Sequence, residues 1–82
     1  MNAKQALEKS LWNRLDDEIK KHIEVGVKYG GTQTFIFEGN YPEVFTSIDY
    51  DMCILKALGY KVDLKTMDFD EGPEMKLTIN WV

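Results

Sequence analysis

The sequence predicts an α+β domain of order αβαββ, with a three-stranded sheet, the last strand central, and two helices on one face. Three observations predict it. Apolar residues recur at helical spacing over the first third of the chain, the last third alternates apolar with polar residues, and glycine or proline stands at the boundaries between. The 82 residues, 44% apolar and 29% charged, fit a single globular domain, 1–82, without linker, repeat or low-complexity tract.

The first element spans residues 3–29. Leu7, Leu11, Leu15, Ile19, Ile23 and Val27 follow in steps of four, with Trp12 added, while Asp16, Asp17, Lys20, Lys21 and Glu24 form the wet side. Steps of four drift around a helix of period 3.6, so the stripe is broad enough to touch two neighbours. Gly30-Gly31 is its stop, since glycine takes the left-handed cap without strain, and Gly26 is a possible earlier end. Residues 32–38 read as a strand, β-branched and aromatic, with Phe35 and Phe37 on one side and Ile36 on the other. Asn40, Pro42 and Glu43 give a capping-box-like start to a second helix carrying Val44, Phe45, Ile48, Met52 and Leu55. Thr46, Ser47, Asp49 and Asp51 weaken its middle, with a restart expected near Asp49, and Leu58-Gly59 ends it. Residues 60–67 alternate around Val62 and Leu64, residues 68–74 form an acidic turn with Gly72-Pro73, and residues 75–81 alternate around Met75, Leu77, Ile79 and Trp81. The last two segments make an antiparallel hairpin. The helices are expected over Leu77, Ile79 and Trp81, leaving Lys76, Thr78 and Asn80 on a largely polar face.

Composition excludes several functions. A net charge of −4 opposes direct binding to nucleic acid, which requires a basic face. A single cysteine, Cys53, makes no intrachain disulfide and implies a reducing compartment, and no apolar run is long enough to span a membrane. A cytoplasmic protein, bacterial or in a host cell, is expected.

No catalytic, cofactor or metal constellation stands out. Asp68, Asp70, Glu71 and Glu74 suggest a calcium loop, but glycine and proline fall at the fifth and sixth places and a strand follows, so a solvated hairpin tip is the better reading. His22, the lone histidine, lies in the apolar stripe and lacks partners for a zinc site; a half-buried packed ring is expected, a pH-sensitive interface group being the alternative. Cys53 reads as a small packing group rather than a nucleophile, since nothing orients a base beside it. Gly30-Gly31-Thr32 lacks the ending of a phosphate loop, and Phe35 and Phe37 read as core rather than as base-stacking platforms.

The first helix is the most suggestive element, because its broad stripe brings Leu7, Leu11 and Trp12 to an end that three strands do not reach, and aromatic residues anchor interfaces. Homo-oligomer formation through this helix is the leading expectation, against the simpler one that it packs lengthwise on the domain. The run Leu55-Lys56-Ala57-Leu58-Gly59-Tyr60-Lys61-Val62, followed by Leu77-Thr78-Ile79-Asn80-Trp81, resembles small proteins of tailed bacteriophages and prophages. The resemblance covers the second half well and the first helix loosely, and residues 39–51 are longer and less regular than that pattern. It carries over no catalytic residue and implies a phage or prophage origin.

Together these readings describe a non-enzymatic protein-interaction module, self-associating, in a virion or acting on a host protein. Its expected contact residues are Leu7, Leu11 and Trp12, with Asp68, Asp70 and Glu71 at the acidic tip. An acidic mimic of nucleic acid is a rival reading that needs Asp63, Asp68, Asp70, Glu71 and Glu74 along one face, and a small-ligand site between subunits is a third.

Overall fold

The computed structural model describes residues 1–70 and 72–81. The elements are α1 (Ala3–Arg14), α2 (Asp17–Lys28), β1 (Gln33–Phe37), a 3-10 segment (Pro42–Ser47), α3 (Ile48–Ala57), β2 (Lys61–Phe69) and β3 (Gly72–Asn80). The sheet order is β1-β3-β2 and both pairings are antiparallel, so the last strand is central, as the alternation predicts. Ile36 lies opposite Leu77, and Val62 opposite Ile79. Their face meets Ile19 and Ile23 of α2 and Ile54 and Leu55 of α3 in one core, with Val44 and Phe45 of the 3-10 segment beside them.

The expected helix over residues 3–29 is in fact two. Leu15 turns to extended geometry (φ −66°, ψ 151°) and its N–H donates to the Trp12 carbonyl. Asp16 then caps α2, its carboxylate accepting from the Glu18 N–H at 2.9 Å. An aspartate whose short carboxylate reaches nearby amides favours the cap over the helix interior. Asp17 and Glu18 in the new first turn suit the positive end of the helix dipole. The hydrophobic steps of four run through this break without registering it.

Both helix stops fall at the expected glycines and share one geometry. At the end of α2, Gly30 takes φ +74° and donates to Val27, while Gly31 donates to Gly26. At the end of α3, Gly59 takes φ +98°, with Gly59 donating to Lys56 and Tyr60 to Leu55. This pair of crossed bonds satisfies carbonyls that the helix end would otherwise orphan. Gly26 does not end α2 and sits inside it, for a reason that lies with Trp81.

Three further expectations are corrected. Asn40 caps nothing: Tyr41 precedes the 3-10 segment with no side-chain hydrogen bond, and the α-helix begins at Ile48. The acidic turn is shorter than 68–74, since β2 runs to Phe69 and β3 starts at Gly72, where φ is +122°. Pro73 is tolerated in β3 because β1 pairs only as far as Lys76, so its missing N–H is needed by no neighbour on that side. Phe35 is not core. It stands on the sheet face away from the helices, 38% exposed, with the Lys76 ammonium 4.2 Å from its ring centroid.

Candidate functional site

Leu7, Leu11 and Trp12 all lie on α1, and α1 buries none of its residues. Leu7 is 60% exposed, while Leu11 and Trp12 pack part of their surface against the core. The helix is nevertheless well formed, because Asn2 and Gln5 close a reciprocal capping box with bonds of 2.8 and 3.1 Å. The radius of gyration is 13.4 Å, against roughly 12 Å for a compact domain of this length. A helix with no fully buried residue accounts for part of that excess.

Charge separates along the same division. Residues 1–14 carry Lys4, Lys9 and Arg14 against Glu8 alone, whereas the rest of the chain holds seven basic and thirteen acidic side chains. A basic helix thus projects from an acidic body. Of its charges only Lys4 and Glu8 form a pair among the described residues, 4.0 Å apart and exposed, which contributes little to stability.

The joint below α1 holds a buried carboxylate. Asp51, 5% exposed in the first turn of α3, accepts from the Asp16 backbone N–H at 3.3 Å. That amide lost its helical partner at the break, so Asp51 serves as its acceptor. Burial pushes the Asp51 carboxyl above its ordinary value, the Asp16 amide bond opposes this, and the Asp16 carboxylate adds to the rise. Its signal in the sequence was an acid three residues after Ile48 and three before Ile54, on the apolar side of its helix.

Asp68 and Asp70 are exposed at the hairpin, and Glu71 lies outside the described residues. The register does not line the carboxylates along one face. Asp63 opposite Thr78 and Glu74 opposite Met67 stand on the open face with Lys61, Lys65 and Lys76, while Asp68, opposite Pro73, points the other way. Asp68 therefore lies off the face that carries Asp63 and Glu74. The structure does not join the hairpin acids to Leu7, Leu11 and Trp12 in one element.

His22 is half-buried, as expected. Its Nδ1 donates to the Glu18 carbonyl at 2.8 Å, and its ring stands edge-on to Tyr41 with centroids 5.1 Å apart. Cys53 is exposed, not a packing group, because it falls on the outer side of α3 between the buried Asp51 and Ile54. Among the described residues no three His, Cys, Asp or Glu side chains gather as metal ligands, and no helix is long and apolar enough to cross a membrane. Comparison with protein-family models, curated proteins and solved structures found nothing that matches this chain.

Proposed function

We propose that this chain is a non-enzymatic protein-interaction module of phage type that self-associates through α1, in a bacterial or host-cell cytoplasm. One observation carries the reading: α1 is capped and complete yet buries no residue in its own chain. Its stripe of Leu7, Leu11 and Trp12 supplies the apolar centre of a contact, and burying one leucine fully contributes about 1.5–3 kcal/mol. Its basic residues, Lys4, Lys9 and Arg14, suit the acidic body of a second copy, which supports a homo-oligomer over a basic partner. Contact with a virion or host protein is the further role this surface allows.

Absolute mass in solution, measured by light scattering over a concentration series, tests the proposal. A dimer or larger species that dissociates on dilution and with added salt is the expected result. A monomer at every concentration overturns self-association.

A further inference from the structure

A cleft of about 250 Å³ opens between α2 and the β1 side of the molecule. Val25 and Gly26 of α2 and the short Thr34 of β1 line it beside larger groups. Two of these are aromatic: Tyr29, 80% exposed at the end of α2, and Tyr41, half-buried ahead of the 3-10 segment.

Two polar side chains of the lining come from α2. Lys21 and His22 are adjacent on α2, and both line the cleft. Among the described residues Lys21 has no ion-pair partner, whereas its neighbour Lys20 is held by Asp17 at 3.2 Å. The histidine ring is fixed at one nitrogen. A carbonyl oxygen only accepts, so the Nδ1 beside the Glu18 carbonyl carries a proton, and Nε2 is the nitrogen left for a ligand. Tyr41, edge-on to the ring, sets its plane.

We propose that this cleft binds a single-ring aromatic carboxylate. The ring lies between the tyrosines against Val25 and Thr34, the carboxylate meets the Lys21 ammonium, and a ring hydroxyl meets His22 Nε2. Aromatic walls around an apolar floor favour a flat ring, and a free ammonium selects an anion over a neutral isostere. The volume is below that of sites for drug-sized ligands, which limits the occupant to one ring. The site lies within one chain and needs no second subunit, so it stands independently of self-association through α1.

The test uses 4-hydroxybenzoate as probe and 4-hydroxybenzyl alcohol as its neutral counterpart, read by amide shifts in nitrogen-15 NMR spectra. The acid is expected to give saturable shifts centred on His22, Thr34 and Tyr41, with the alcohol up to about fivefold weaker, as one exposed charged contact would produce. Lys21→Gln should remove that difference. Val25→Trp, at a position that lines the cleft yet is 47% exposed, should fill the space and abolish binding with the fold intact. No saturable shift up to about 10 mM probe, well above the range of a specific weak ligand, overturns the site. Equal binding of acid and alcohol overturns the ligand class, and unchanged binding to the Val25→Trp protein overturns the location.

Discussion

Gly26 lies directly beneath the indole of Trp81: a Cβ added there would stand 2.7 Å from Cη2 and 3.1 Å from Cζ2. The glycine inside α2 is therefore a packing requirement set by the far end of the chain. The indole has little freedom to move away. Its Nε1 donates to the Gly31 carbonyl at 3.0 Å, its backbone N–H donates to Thr32, and the Tyr60 ring meets it edge-on with centroids 6.5 Å apart.

Gly26→Ala should consequently destabilise the protein despite alanine's better helix propensity. The propensity gain is about 1 kcal/mol, and overpacking against a pinned ring costs about 1–3 kcal/mol. A net loss of roughly 1 kcal/mol in urea unfolding is expected. Combining it with Trp81→Phe, which gives up the larger ring, should cost less than the two single changes added together. Strict additivity would mean that the contact is not what excludes a side chain.

A carboxylate buried at the α1–α2 joint makes a second prediction, about pH. The Asp51 carboxyl is raised above 3.8 in the folded protein, first by burial and then by the Asp16 carboxylate, against the opposing Asp16 amide bond. Its contribution to stability is full below 3.8 and is lost as pH rises through the raised folded value. At neutral pH the charged form is thus unfavourable where it sits. Asp51→Asn keeps an oxygen to accept from the Asp16 N–H and removes the charge, so its melting temperature should exceed that of the parent at about pH 7. The advantage should shrink toward about pH 4, close to the unperturbed carboxylate value. A stability gain that does not change with pH would contradict this account.

The strand order, the two glycine stops and the core residues of β3 were legible because each follows from a local signal: period-two alternation, a glycine after a helical run, a β-branched cluster. The break at Leu15–Asp16 was not, because its cause is distributed. The apolar steps of four continue across it, and only the cap at Asp16 together with the distant acceptor Asp51 makes the extended Leu15 favourable. Gly26 was legible as an irregularity but not as a contact, since its partner is Trp81. The cleft is lined by residues of three segments, His22 and Val25 of α2, Thr34 of β1 and Tyr41, which no spacing within one element displays. Leu7, Leu11 and Trp12 were legible as a set at the end of a helix that the sheet does not reach, but the break that makes α1 a separate helix was not.

The two helix caps should respond differently to removal. Asp16→Ala deletes the acceptor for Glu18 at the start of α2, which carries the buried Ile19 and Ile23, and should cost about 1 kcal/mol of global stability. Asn2→Ala breaks the capping box of α1, which has no fully buried residue. Helicity should fall and amide exchange in residues 3–14 should accelerate, with the global unfolding midpoint nearly unchanged. Equal losses from the two would show that α1 folds as part of the core.

Leu7→Glu separates self-association from folding most cleanly. Leu7 is 60% exposed and belongs to a helix with no buried residue, so an acid there leaves the monomer's core intact. In an oligomer held by the α1 stripe, the same change places a charge in the apolar centre of the contact and reduces the local positive charge that Lys4 and Lys9 provide. Association should weaken by at least about 2 kcal/mol, roughly a thirtyfold rise in the dissociation constant, with the circular dichroism spectrum and dilute-solution melting temperature unchanged. Trp12→Ala should also weaken association, but it should lower the monomer's stability too, because Trp12 packs against the core. A Leu7→Glu protein that keeps the parental mass at every concentration would place the contact elsewhere, with the open sheet face around Phe35 and Lys76 the next surface to alter.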